Sequence, residues 1–234
     1  MLRFATWRDI FWITTGYGAL GLVLAGNFLP DTLSASRRVH MRLAGVLSRY
    51  RHILTERVFL THSLMLASSS FTLFAYLAGS PTVFIIHFGL SPGRFAVLFG
   101  MVAATYVLFS QLNVTVTRWL GWTARCAMRP ASTWSWRCCC WRWRAAAAAA
   151  RSRCMQGQSG FIAPTGMVGA LHRHAAHAGS ASALMGTLQF MIGCSAGFLI
   201  AWLTDGTALP MAGLMAAGAL CCKLADLCRP RPGK

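Results

Sequence analysis

The sequence predicts an all-α integral membrane protein, and three observations predict it. Of 234 residues, 56% are hydrophobic and only 12% are charged, against roughly a quarter charged in an ordinary soluble domain. The apolar residues gather into runs near the ~20 residues that a bilayer crossing needs. The basic residues stand between those runs, as they do on the cytoplasmic side of membrane proteins.

The first span, DIFWITTGYGALGLVLAGNFL, lies within residues 1–30. It is too long for a signal-peptide core, and no A-x-A cleavage site follows it. Trp7, Phe11 and Trp12 suit an interfacial belt, and Pro30 closes the span. Residues 31–57 form a basic linker, with Arg37, Arg38, Arg42, Arg49, Arg51 and Arg57 against Asp31 and Glu56. Its middle spaces Val39, Leu43, Val46, Leu47, Ile53 and Leu54 as one helix face. That pattern predicts an amphipathic helix along the cytoplasmic membrane surface.

Two more spans fill residues 58–122, joined by a connection whose one Lys or Arg is Arg94. The low positive count suits the opposite side of the membrane. Residues 157–225 hold three further apolar runs, and residues 226–234 form a basic cytoplasmic tail. The charge pattern is consistent only if one more crossing lies between Trp119 and Gln156.

Residues 123–156 show no such crossing. They contain no Asp, Glu, Ile, Leu, Val or Phe, and include Trp134, Trp136, Trp141, Trp143 and the run Cys138, Cys139, Cys140. A lipid-exposed helix carrying these arginines would cost roughly 2.5–3.5 kcal/mol per central charge. The codons suggest a reason. Cys-Cys-Cys-Trp-Arg-Trp-Arg written TGC TGC TGC TGG CGC TGG CGC becomes Leu-Leu-Leu-Leu-Ala-Leu-Ala when a preceding C opens the frame. The expectation is a pair of compensating frameshifts around a lost helix. The alternative is a basic loop whose Trp and Arg rest on lipid headgroups.

The net charge of +17 does not point to nucleic acid. A nucleic-acid footprint is a continuous basic face, and these cations are dispersed between spans. The nine cysteines have no C-x-x-C spacing, so neither a zinc site nor a disulfide framework is expected. His172, His174 and His177 sit in one short loop and read as a partly charged anchor rather than a metal centre. The five acids, Asp9, Asp31, Glu56, Asp205 and Asp226, lie at span ends or in loops. No proton relay stands mid-span, and no paired carboxylates or nucleophile with its base suggest an enzyme. No cofactor is expected.

Other residues inside the spans carry the functional expectation. Ser68, Ser69, Ser70, Phe71, Phe74 and Tyr76 share one span, Thr165 follows the break expected at Pro164 in the Gly- and Pro-interrupted span GFIAPTGMVG, and Gln189 lies mid-span. A neutral amide in hydrocarbon should face protein or water. Gly193-x-x-x-Gly197, Ser182-x-x-x-Gly186 and Gly179-x-x-x-Ala183 predict close helix approaches.

Several strings resemble one family. TWRDIFW and FLPDTL flank the first span as they do the sixth helix of Bcr/CflA-type drug efflux transporters of the major facilitator superfamily. FTLFAYLAGSPTVF, FGLSPGRFAVLFG and SQLN resemble that family's seventh and eighth helices. GFIAPTGMVGALHRHAAHAGSASALMGTLQF resembles the tenth and eleventh, and residues 123–156 fall where the ninth belongs. The resemblance implies a partial major facilitator superfamily fold, the C-terminal helical bundle of a twelve-helix parent. It implies a multi-pass protein of the bacterial inner membrane that exports small amphipathic compounds, by proton antiport, together with an N-terminal half outside this chain. On that reading the chain is a fragment of doubtful activity by itself. The cavity-lining side chains would be Phe71, Phe74, Tyr76, Thr165 and Gln189. A membrane scaffold that binds partners without transporting is the competing expectation.

Overall fold

The structure, a computed structural model, describes residues 7–28, 43–120, 145–171, 174 and 177–228. The expectations for Pro30, the start of the linker, residues 123–144, His172 and the tail from residue 229 lie outside the described residues. So does the side chain of Thr165. The chain divides into two units, residues 1–42 and 43–234.

The first unit contributes α1 (Trp7–Phe28). Its described side chains are exposed from Ile10 onward, Trp12 and Tyr17 among them. Its polar side chains turn back on their own backbone. The Thr14 hydroxyl donates to the Ile10 carbonyl at 2.7 Å and the Asn27 amide to Val23 at 2.9 Å. A helix closed on itself in this way can stand in hydrocarbon, where no water satisfies a loose donor.

The second unit begins with α2 (Leu43–Thr55), whose Ile53 is buried and Leu54 half-buried. It is helical where the linker predicts an amphipathic helix, and Arg51 remains exposed on it. After a break at Glu56 comes α3 (Arg57–Pro81), continued by a π-helical turn over Thr82–His87. Proline brings no N–H to the ladder, so re-registration where Pro81 meets the turn has a local cause. The Phe88 N–H then reaches the Val83 carbonyl, five residues back, at 3.0 Å. Gly89 follows at φ +64° and reverses the chain, a conformation open to glycine at little cost.

Next come α4 (Pro92–Leu120), α5 (Ala145–Leu171), α6 (Ala178–Leu203) and α7 (Leu209–Leu227). α3 is the centre and packs on α5, α6 and α7, while α4 packs mainly on α5. Among the described residues, five helices are long and apolar enough to cross a membrane: α1, α3 with its π turn, α4, α6 and α7.

Glycines set the closest approaches. A Cβ at Gly160 of α5 would run into the Tyr106 carbonyl of α4, and one at Gly218 of α7 into Thr72 of α3. One at Gly79 would meet Met211 at 2.8 Å. The predicted small-residue patterns fare unevenly. Gly193 of α6 seats the Phe74 ring, 2.8 Å from its ideal Cβ, whereas Gly179, Gly186 and Gly197 have nothing within 4 Å. α5 also runs unbroken through Pro164, where the sequence suggests an interruption.

Candidate functional site

α3 presents its candidate side chains to different neighbours. Phe71 and Phe74 are half-buried and Tyr76 is buried. Phe71 reaches α7, where its ring lies 3.1 Å from an ideal Cβ on Gly218. Phe74 reaches α6 and meets Phe190 edge to face at 6.3 Å. Tyr76 stacks on Phe99 of α4 at 5.9 Å. Its hydroxyl stands beside Ser152 of α5 without closing a hydrogen bond of ordinary geometry. At 100° per residue, steps of three and five along a helix point in different directions. The structure therefore does not bring the three rings onto one wall.

Gln189, half-buried on α6, precedes the Phe190 that Phe74 touches. Phe190 itself is 59% exposed, so the Phe74–Phe190 contact lies at the margin of the bundle. Thr165 lies on α5, one residue past Pro164.

Two features escape the sequence reading. The first is an aromatic chain at the Gly89 end of α3 and α4. Tyr76 stacks on Phe99, Phe99 meets Phe95 at 5.8 Å, Phe95 meets Phe84 at 6.3 Å, and Phe84 meets Phe88 at 6.1 Å. The four-residue spacing of Phe84 and Phe88, and of Phe95 and Phe99, is the signal that would have found it. The second is a cavity of about 10 Å³, room for about one water molecule, between α3, α5 and α7. Ser69, Thr72 and Ser159 bring hydroxyls to it, and Met155, Ile162, Ala219 and Cys222 line the rest.

At the other end of α3, the Glu56 carboxylate meets Nε2 of His174 at 2.6 Å. Phe59, fully buried, packs edge-on to that imidazole at 5.5 Å. The His174 contact thus joins the α2–α3 break to the α5–α6 loop. Among the described residues, no group of three His, Cys, Asp or Glu could hold a metal ion.

Polar side chains turned inward, apolar side chains turned outward, and several spans in one bundle make this a multi-pass membrane protein. Its relatives say of which kind. The chain is 27% identical over 225 residues to the "Bicyclomycin resistance protein homolog" of Haemophilus influenzae, covering 93% of this chain and 56% of that relative. It is 31% identical over 101 residues to the "Uncharacterized MFS-type transporter YdgK" of Bacillus subtilis, covering 43% of this chain and 25% of that one. The chain is thus related to Bcr/CflA-type transporters of the major facilitator superfamily, and it spans about half the length of the first relative. No family model and no solved structure matches it.

Proposed function

We propose that this chain supplies the C-terminal half of a drug efflux transporter in the bacterial inner membrane. With an N-terminal half of the same type it would export small amphipathic compounds in exchange for protons. The observation that carries the reading is the alignment with the bicyclomycin resistance protein homolog, which runs through 93% of this chain while covering 56% of the relative. Transport by rocking two halves around a shared site needs both halves.

On this reading the substrate meets α3 and α6, where half-buried Phe74 would supply an aromatic wall and half-buried Gln189 a hydrogen-bonding amide. Such sites are mostly apolar with a few placed polar groups. Phe71 and Tyr76, held in helix contacts here, would join the wall only as the helices part.

The test is dye efflux from cells that make this chain together with the N-terminal half of a Bcr/CflA-type relative. Efflux should require both halves. Phe74→Ala and Gln189→Ala should each lower it about tenfold, the equivalent of about 1.4 kcal/mol of binding. The same protein level with no efflux from the pair would sink the transporter reading in favour of a scaffold. Normal efflux from both variants would sink the site.

A further inference from the structure

The cavity between α3, α5 and α7 brings hydroxyls together close to halfway along the α3 span, which runs from Arg57 to His87. Ser69 and Thr72 come from α3, Met155 and Ser159 from α5, and Cys222 from α7. Every residue that lines the cavity is buried. Gly218 of α7 helps to make the place, because a Cβ there would run into the Thr72 hydroxyl. At this depth no bulk solvent reaches a polar group, so each hydroxyl must find its partners inside the bundle.

The protons of those hydroxyls say what the cavity takes. The Thr72 hydroxyl donates to the Ser68 carbonyl at 3.1 Å, and the Ser159 hydroxyl donates to the Met155 carbonyl at 3.1 Å. A hydroxyl has one proton and two lone pairs, so both oxygens remain as acceptors with no proton left to give. Two acceptors cannot satisfy each other. The Ser69 hydroxyl bonds to no other described residue, which leaves its proton and its lone pairs free. The fitting occupant donates twice and accepts once, and water does both. An anion would meet two acceptors. Ca²⁺ and Mg²⁺ ask for about six oxygens or more, and the cavity wall offers the side-chain oxygens of Ser69, Thr72 and Ser159. A hydrocarbon filler would leave all three hydroxyls unmet. The volume of about 10 Å³ is close to the least that admits one water, which typically makes about three hydrogen bonds when buried.

We propose that this cavity is a binding site for a single water molecule, which donates to Thr72 and Ser159 and accepts from Ser69. The water ties α3 to α5 beside α7, deep in the span. The site follows from the packing of these three helices and stands whether or not the chain transports.

The experiment is X-ray radiolytic footprinting of the full chain in phosphatidylethanolamine–phosphatidylglycerol nanodiscs, read by mass spectrometry. Radiolysis turns a bound water into a hydroxyl radical where it sits, and a methionine beside it becomes the sulfoxide. Met155 lines the cavity, whereas Met185, Met211 and Met215 are as deeply buried elsewhere in the bundle. Met155 should therefore oxidise several-fold faster than those three. Ser69→Ala combined with Thr72→Val removes two hydroxyls at nearly constant volume and should bring Met155 down to their rate. Thr72→Ser keeps the hydroxyl and should leave Met155 fast. A wild-type Met155 that oxidises no faster than Met185, Met211 and Met215 would overturn the proposal. So would a fast Met155 that ignores the loss of both hydroxyls, or equal fast oxidation of all four, which would mean that bulk water floods the bundle. Should the double variant fail to fold, Ser159→Ala takes its place: a slowed Met155 supports the site and an unchanged one overturns it.

Discussion

α3 and α4 are adjacent apolar spans with opposite fates. α4 is the more apolar by composition, yet far less of its most apolar stretch is buried than of α3's. α3 buries Ser63, Ser68, Ser69, Ser70, Thr72 and Ser80, while α4 exposes Val97, Met101, Val107, Leu108 and Leu112. In water the order would be reversed. In lipid a leucine gains nothing by leaving hydrocarbon, so helices meet through small and hydroxyl-bearing residues that allow close approach. The comparison teaches that, here, the inside of the bundle is read from smallness and polarity, not from greasiness.

The largest expected effect strikes where that closeness is greatest. Gly160→Val and Gly218→Val each force a side chain into a neighbouring helix. Overpacking of this kind costs about 1–3 kcal/mol, and more where the obstacle is backbone, as at Gly160. Gly197→Val, with open space around it, should change little. Thermal unfolding in detergent measures all three. Equal melting of Gly160→Val and Gly197→Val would break the comparison, because close approach would then not decide stability.

A smaller contrast sharpens it. Ser70 is 5% exposed on α3 and Leu108 is 62% exposed on α4. Ser70→Leu should destabilise by about 1–2 kcal/mol, because added bulk has no room. Leu108→Ala should stay within about 0.5 kcal/mol, since it removes little protein contact. The opposite ranking in the same melting assay would mean that α4 has an additional protein neighbour on its exposed face.

The class of protein and the existence of α1, α3, α4, α6 and α7 were legible, because long apolar runs admit few other structures. Which helix a residue faces was not. Phe71, Phe74 and Tyr76 look alike in sequence, yet they meet Gly218, Phe190 and Phe99 on three different helices. Periodicity fixes a face relative to its own helix and says nothing of who lies opposite. Gly193 and Gly197 share one motif, yet only Gly193 receives a ring. Asp226 was read as tail, because hydropathy fades at a helix end well before the helix itself stops. Pro164 looked like a break, yet α5 carries it as one missing donor within an otherwise continuous helix.

Outside the spans the rule should turn back toward that of water, with polar pairs contributing little. The Glu56–His174 pair, its side chains 28% and 10% exposed, tests this at the α2–α3 break. Glu56→Gln should lower stability by about 0.5–1 kcal/mol, the range of a single partly exposed polar contact. A loss as great as that of Gly160→Val would show that this junction, rather than the helix interior, holds the bundle together.

The smallest effect belongs to the turn between α6 and α7, where Asp205 is exposed. Its carboxylate accepts from the Thr207 hydroxyl at 2.6 Å and from the Thr207 N–H at 2.9 Å. The side-chain bond first, and the backbone bond after it, hold the Asp205 carboxyl below its ordinary value. A depressed carboxyl contributes stability above its unfolded-state value, and that contribution is lost as the pH falls through the folded-state value. The window therefore lies at and below about pH 4. The Thr207 hydroxyl also receives the Leu209 N–H at 3.3 Å, so the turn and the start of α7 should loosen together in acid. Amide hydrogen exchange at Leu209, compared above and below that window, reads the change. Thr207→Val removes the hydroxyl from both bonds, and its exchange should be faster at neutral pH and less sensitive to acid than the wild type. An unchanged acid response in Thr207→Val would mean that the side-chain bond is not what depresses Asp205, and the turn would then owe its order to Gly206, at φ +79°, and to the backbone alone.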